Sequence, residues 1–279
     1  MFTLNCNGKL LKADRPLVMG IINTTPDSFY SGSRFMGDAE VLRQGEKMIG
    51  DGADILDIGG QSTRPGAEEV GVEEELQRVI PAIAVLHRHF PGTVISVDTW
   101  YSRVSREAVA AGAGIVNDIS AGSLDPDMLV TVGKLNVPYI CMHMKGTPVS
   151  MNREAVYEDV TREVLDFFIG RIAACRSAGI HDLILDPGLG FAKRAHHNFE
   201  LLKNLAIFSM TGCPILAGAS RKSFIYKNLG LTAEDALNGT TVMNTVALLN
   251  GAAILRVHDP AEARQAILLL ERYKNTNAH

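Results

Sequence analysis

The sequence predicts an α/β protein, a (β/α)₈ TIM barrel formed as one domain over residues 1–279 with a short N-terminal hairpin. Three observations carry that prediction. Eight short apolar or β-branched runs recur along the chain, each followed by a helical pattern. Each run is continuously apolar instead of alternating with a solvated face, as parallel strands covered by helices require. No Pro-, Ser- or Gly-rich linker divides the chain, and the segment GIINTTPDS after the first run lacks the GxGxxG of an open dinucleotide-binding sheet.

The opening FTLNCNGKLL reads as a hairpin turning at Asn7-Gly8, placed to cap the bottom of the barrel. Eight strands follow: LVMGIIN at 17–23, ADILDIGG at 53–60, TVISVDT at 93–99 and GIVNDIS at 114–120, then PYICMHM at 138–144, LILDPGLG at 183–190, CPILAGAS at 213–220 and AILRVHD at 253–259. Between the second and third, EEELQRVIPAIAVLHRHF places Leu76, Val79, Ile80, Ile83 and Phe90 mostly along one helical face, with Pro81 expected to kink or divide the helix. Near 154–178, Tyr157, Val160, Val164, Phe168, Ile172 and Cys175 form a second stripe that should face the sheet. Asp125-Pro126 and Asp259-Pro260 read as N-caps followed by prolines at the first helical position. Gly or Asn closes several helices, as in AAGAG and LLNGAA.

Composition narrows the function classes. A chain of 279 residues with 46% hydrophobic and 21% charged residues can build a full core, which excludes disordered and fibrous classes. A net charge of -4, from 27 basic and 31 acidic residues, gives no broad electrostatic reason to bind nucleic acid or an anionic membrane, so neither is expected as a partner. No run of about 20 apolar residues is present, so no membrane span is expected. Cys6, Cys141, Cys175 and Cys213 are scattered without metal-finger spacing and read as buried free thiols, which points to a reducing, cytoplasmic compartment.

In this fold the active site forms at the C-terminal ends of the strands, so the residues ending each strand carry the functional information. Strand by strand they are Asn23; Thr63 and Arg64 in a Gly/Pro loop; Asp98; Asn117 with Asp118; His143 between Met142 and Met144; Asp186; Ser220 with Arg221 and Lys222; and Arg256 with His258. Alternation places Asp98 either inward or in the helix layer, and it allows only one of Asn117 and Asp118 to face a ligand. His143 reads equally as part of a ligand shell or as a structural hydrogen-bonding group. A strand-end Asp such as Asp186 can accept two parallel N–H donors from an amino-heterocycle. Ser220, Arg221 and Lys222 at a helix start, with Arg256 and His258 two residues apart, suit an anion such as diphosphate. Together these side chains suggest a ligand with an amino-heterocyclic head and an anionic tail, and no Ser-His-Asp or thiolate nucleophile has supporting context.

MGIINTTPDSF at 19–29, GGQSTRPGA at 59–67, DPGLGF at 186–191, SRKSFI at 220–225 and RVHD at 256–259 together resemble the dihydropteroate synthase family of folate biosynthesis, over about residues 15–270. The resemblance implies a (β/α)₈ homodimer that condenses 6-hydroxymethyl-7,8-dihydropterin diphosphate with 4-aminobenzoate, uses Mg²⁺, and is inhibited by sulfonamides at the aminobenzoate position. It assigns Asp98, Asn117, Met142, Asp186, Gly218 and Lys222 to the pterin, and Phe29, Arg64, Pro65, Phe191 and Ser220 to aminobenzoate. Asn23, Thr63, Arg64, Arg256 and His258 fall to the diphosphate, with Asn23 also on the metal. The catalytic set is then Asn23, Lys222, Arg256 and His258. Three departures stand out against the family's usual residues: Gln61 in place of Glu, YSGS in place of SDGG so that Ser31 takes the place of a loop aspartate, and Ala192 in place of Gly. Two related readings are a pterin-binding barrel that transfers a methyl group to a corrinoid protein, which has little use for the STRPG, SRK and RVH anion apparatus, and a non-enzymatic pterin binder.

Overall fold

The computed structural model describes residues 1–24, 37–61 and 70–276. Two strands open the chain, β1 (Phe2–Cys6) and β2 (Lys9–Ala13), paired antiparallel across a turn in which Asn7 and Gly8 take left-handed φ values of 52° and 83°. Leu4, Cys6 and Ala13 of this hairpin are buried against the bottom layer of the barrel interior, so the hairpin caps the barrel as its sequence suggests.

The barrel strands are β3 (Leu17–Asn23), β4 (Ile55–Gly59), β5 (Val94–Asp98), β6 (Ile115–Asp118), β7 (Tyr139–Met142), β8 (Leu183–Asp186), β9 (Leu216–Ala217) and β10 (Ile254–Val257). Their order is β8-β7-β6-β5-β4-β3-β10-β9, all neighbours parallel, and a bridge between Leu185 and Ile215 joins β8 to the segment entering β9. The ring is thereby closed, a (β/α)₈ barrel. Helices α1 (Asp38–Gly50), α2 (Val72–His89), α3 (Ser102–Ala111), α4 (Met128–Leu135), α5 (Val160–Ser177), α6 (Ala195–Lys203), α7 (Ser223–Leu229), α8 (Leu237–Leu249) and α9 (Pro260–Lys274) surround it.

Strand alternation sorts the core into two layers, and this sorting positions the site. Met19, Ile55, Val94, Ile115, Ile140, Ile184, Leu216 and Ile254 point inward and pack together as the floor of the barrel. Their neighbours Val18, Leu56, Ile95, Val116, Cys141, Leu185, Ala217 and Leu255 point outward and pack beneath the helices. Two residues further along each strand the inward direction returns. Asp57, Ser96, Asn117, Met142, Asp186, Gly218 and Arg256 therefore form the layer directly above the apolar floor, with Asn23, Asp98 and His258 at its rim.

Three local expectations change. Pro81 lies within a continuous α2 on its exposed side, where the carbonyl it leaves unpaired can face water. Asp125 does not cap the helix that follows it: its carboxylate accepts from the Ser102 amide at 2.7 Å, tying the start of α3, and from the Asp127 amide at 2.9 Å. Asp259 does stand at the N-cap of α9 with Pro260 behind it, but its two oxygens are held by Arg221, Nε at 2.8 Å and Nη2 at 2.9 Å, and make no cap bond. A bidentate guanidinium outcompetes a backbone amide for the same carboxylate. Of the cysteines, Cys6, Cys141 and Cys175 are buried and Cys213 half-buried, all four free. No described helix is long and apolar enough to cross a membrane.

Candidate active site

At the mouth of the barrel a single guanidinium organises the carboxylates. Arg256, on β10, donates from Nε to Asp57 at 2.6 Å and from Nη2 to Asp98 at 2.6 Å. Asp57 also accepts from the Asn117 amide nitrogen at 3.1 Å. Asp98 therefore faces inward, which settles the ambiguity that period-2 alternation left open. Burial pushes its carboxyl up to about 7, with Arg256 opposing the rise and Asp57 adding to it. Although burial works against the charge on Arg256, Asp57 and Asp98 together hold the guanidinium protonated.

On β6 alternation divides the adjacent polar pair. Asn117 faces the interior, and Asp118 turns outward to accept from the Tyr139 hydroxyl at 2.6 Å and from the Ser120 and Gly122 amides, both at 2.7 Å. Asp118 is thus a structural anchor for the loop after the strand. His143 is resolved in the same way: it points away from the pocket, packs edge-on against Phe167 at 4.9 Å, and has its Nδ1 3.0 Å from the Lys193 ammonium. Lys193 also donates to the His143 and Phe191 carbonyls, at 3.3 and 3.0 Å, so this loop lysine braces the wall behind Asp186.

Asp186 ends β8 fully within the mouth. Its Oδ1 accepts from the Gly188 amide at 2.7 Å, and burial raises its carboxyl while Lys222 opposes the rise. Gly188 has φ 69°, and a Cβ there would lie 2.0 Å from the His143 carbonyl oxygen, so the DPG turn requires glycine. Lys222 donates to the Leu189 carbonyl and lies 4.5 Å above the Phe191 ring. Burial draws its ammonium down to about 8, with Asp186 opposing. Gly218 lies between these groups: a Cβ built on it would meet Lys222 Nζ at 3.8 Å, the Arg256 Cβ at 3.9 Å and Asp186 Oδ2 at 3.9 Å. The space it leaves is flanked by a carboxylate, an ammonium and the stem of a guanidinium. Met142, Phe191, Trp100 and Ile119 pack as an apolar cluster beside it, a wall suited to one face of an aromatic ring.

Ser220 and His258 form a unit. The His258 backbone amide donates to Ser220 Oγ at 3.1 Å, and that hydroxyl lies 3.0 Å from His258 Nδ1. Either the hydroxyl or Nδ1 can donate in this contact, and it fixes the orientation of the imidazole ring. Burial lowers His258 to about 4, Arg256 assisting. At neutral pH the imidazole is therefore neutral. Arg221 is not part of the anion apparatus: besides Asp259 it donates to the Ala233 and Glu234 carbonyls, at 3.0 and 2.7 Å.

The structure brings together Asp98, Asn117, Met142, Asp186, Gly218, Lys222, Arg256, Phe191, Ser220 and His258, with Asn23 across Gly59 from Asp98. Phe29, Ser31, Thr63, Arg64 and Pro65 lie outside the described residues. The Gln61 departure is accommodated by a buried polar contact: its amide nitrogen donates to Glu75 at 2.6 Å and to the Val70 carbonyl at 2.7 Å, and its oxygen accepts from the Val70 amide at 3.0 Å. Ala192 takes φ 48° and is fully buried, its carbonyl accepting from the Tyr157 hydroxyl at 2.9 Å. Sequence reasoning missed Asp57, and the available signal was a carboxylate in the middle of an otherwise apolar buried strand, ILDIG.

The expectation of Mg²⁺ held through Asn23 is corrected. Among the described residues no group of three or more His, Cys, Asp and Glu side chains can hold a metal ion. The physical reason lies in Arg256: the inward carboxylates Asp57 and Asp98 are paired with this cation from the chain itself, and His258 Nδ1 is taken by Ser220.

Fold and mouth together define a barrel enzyme whose pocket is lined by the carboxylates Asp98 and Asp186 and the cations Lys222 and Arg256. The family model described as "Pterin binding enzyme" matches residues 19–258, from β3 to the end of β10. A dihydropteroate synthase from Escherichia coli (strain K12) is 43% identical over 270 residues, 96% of this chain and 95% of the relative. Among solved structures, Xanthomonas albilineans dihydropteroate synthase with 4-aminobenzoic acid superposes with a TM-score of 0.92 at 42% identity, covering 99% of each chain. The same organism's enzyme in complex with 7,8-dihydropteroate gives 0.89 at 40% identity, over 99% of this chain and 100% of that one. The chain belongs to the pterin binding enzyme family and, within it, to the dihydropteroate synthases.

Proposed function

We propose that residues 1–279 act as a single pterin-binding barrel that condenses 6-hydroxymethyl-7,8-dihydropterin diphosphate with 4-aminobenzoate, giving 7,8-dihydropteroate and diphosphate. One observation carries the assignment of roles: Asp186, Lys222 and Arg256 converge on the gap over Gly218, with Asp98 and Asn117 tied to the same guanidinium through Arg256 and Asp57. Asp186 accepts the paired N–H donors of the pterin's amino-pyrimidine edge, and Asp98 and Asn117 take the remaining ring nitrogens. Met142 and Phe191 supply apolar contact to the rings.

Asn23, Thr63, Arg64, Arg256 and His258 receive the diphosphate, with His258 as a neutral imidazole. In the reaction the bond between the pterin methylene carbon and the bridging oxygen breaks, and the electron pair leaves with diphosphate. Lys222, Arg256 and His258 stabilise the charge that develops there, while the electron-rich dihydropterin delocalises the cation left on carbon. The amine of 4-aminobenzoate, held near Phe29, Arg64, Pro65, Phe191 and Ser220, then forms the C–N bond and loses a proton. No protein nucleophile takes part, so the residues contribute orientation, charge stabilisation and exclusion of water.

The protein works as a homodimer in the cytoplasm. Val242 and Leu249 on α8, with Leu268, Leu269 and Tyr273 on the adjoining α9, leave large apolar side chains exposed, which supports pairing of that face. Free cysteines support a reducing compartment. The activity is tested by following diphosphate release and dihydropteroate together. Release that requires 4-aminobenzoate supports the assignment, and a folded protein that makes neither product overturns it.

A further inference from the structure

We propose that Asp57 is the positioning residue of this site, the fixed anchor that aims Arg256 and Asn117 at the ligand while Asp98 serves as the releasable second contact of Arg256. The proposal rests on the pterin reading above. Asp57 lies in the middle of β4, fully buried, in the layer between the apolar floor and the mouth. Nothing in the packing of a strand calls for a carboxylate there, since Leu56 and Ile58 to either side pack as ordinary core.

Its geometry defines what it does. Oδ2 receives both Arg256 Nε, at 2.6 Å, and Asn117 Nδ2, at 3.1 Å. With Oδ2 accepting from both, it fixes the Asn117 amide with nitrogen toward Asp57 and leaves the carbonyl oxygen as the end that can accept from a ligand. Holding Arg256 by Nε orients the guanidinium plane and leaves its terminal nitrogens to work. One of these, Nη2, rests on Asp98. The two carboxylates differ in character: the Asp98 side chain is 14% exposed at the rim and that of Asp57 is 0% exposed. When the pterin's N–H donors occupy Asp98, Nη2 is released toward the diphosphate, and the Asp57 contact remains as the pivot.

A second observation fits a site with a role beyond packing. Asp57 Oδ1 has no hydrogen-bond partner, nor has Ser96 Oγ, and both atoms are buried on register-paired inward positions of neighbouring strands. Unsatisfied buried oxygens are costly in a purely structural setting and are retained where the arrangement serves a ligand.

The experiment compares Asp57→Asn, Arg256→Met and their double variant by steady-state kinetics, with calorimetric titration of pterin diphosphate in the absence of 4-aminobenzoate. Asp57→Asn is expected to lower kcat/KM for pterin diphosphate about 100-fold. In the Arg256→Met background the same change should lower kcat/KM by less than about threefold, because the group it aims is gone. Full additivity, or an Asp57→Asn enzyme within about threefold of the parent, overturns the proposal. If Asp57→Asn does not fold, a crystal structure of the unaltered protein with pterin diphosphate decides: Arg256 Nε still on Asp57 with Nη2 moved to diphosphate supports the anchor, and Arg256 parted from Asp57 refutes it. Asp98→Asn separates the two levels of argument. Unchanged pterin diphosphate affinity in that variant removes the pterin reading itself, whereas a loss there with none at Asp57 removes only this inference.

Discussion

Gly218→Ala isolates binding from folding more cleanly than any charge substitution. The added methyl would lie 3.8 Å from Lys222 Nζ and 3.9 Å from both the Arg256 Cβ and Asp186 Oδ2, which is ordinary van der Waals contact, and the backbone there is not left-handed. The folded protein loses nothing, and the unfolded chain loses freedom, so stability should hold or rise by about 0.4–1 kcal/mol. That corresponds to roughly 1–4 °C in melting midpoint for a domain of this class. The methyl nevertheless fills the gap flanked by Asp186, Lys222 and Arg256. A pterin ring seated there must shift by roughly 1 Å, enough to cost on the order of 100-fold in kcat/KM. Thermal melting and calorimetry with a pterin analogue measure the two effects side by side. A Gly218→Ala enzyme whose pterin affinity matches that of the parent would show that the gap is not where the heterocycle binds, and the argument built on it would fail.

Three further outcomes follow from the same physics. Lys222, drawn down to about 8 by burial, carries its proton at pH 7 and loses it as pH rises through that value; kcat/KM for pterin diphosphate should therefore fall above about pH 8, and Lys222→Arg should abolish that alkaline limb in a pH profile. Glu75 is raised by burial from 4.5 to about 7, so the folded state holds a proton that the unfolded state releases, and stability should decline between about pH 4.5 and 7. Glu75→Gln should flatten that slope and gain on the order of 1–3 kcal/mol at pH 8 in urea denaturation; an unchanged slope assigns the proton elsewhere. Tyr139→Phe removes the hydroxyl that meets the Asp118 carboxylate at 2.6 Å, and it should cost about 1–3 kcal/mol of stability, read by the same denaturation, with kcat/KM unchanged because Asp118 faces away from the pocket.

The barrel was legible because eight apolar runs could be counted and because polar residues stood at their ends. Period 2 also paired Arg256 with His258 correctly. What alternation could not supply was the absolute direction of each strand. It says that Asp98 and Ser96 share a face, but only the closed ring shows that this face is inward. The same limit left Asn117 and Asp118 undivided and His143 undecided, and the packing of Ile115, Val116 and Phe167 resolves all three. Asp57 escaped notice because attention to strand ends passes over a carboxylate two residues short of the rim. Asp125 and Asp259 depart from their local reading for a related reason: an Asp before Pro has the chemistry of a cap, yet Ser102 and Arg221 reach these carboxylates from segments distant in sequence. The expectation of a metal rests on a family likeness, and the described side chains instead oppose the carboxylates with Arg256.

The central claim is that the carbon–oxygen bond at the pterin methylene breaks and its electron pair leaves with diphosphate, and an isotope answers it directly. Pterin diphosphate carrying ¹⁸O in the oxygen bridging carbon and phosphorus is turned over with 4-aminobenzoate, and both products are weighed by mass spectrometry. All of the label should leave in diphosphate, in amounts equal to the dihydropteroate formed. Label retained in hydroxymethyl-dihydropterin, with no dihydropteroate made, would mean that the ester opens at phosphorus and would contradict the account.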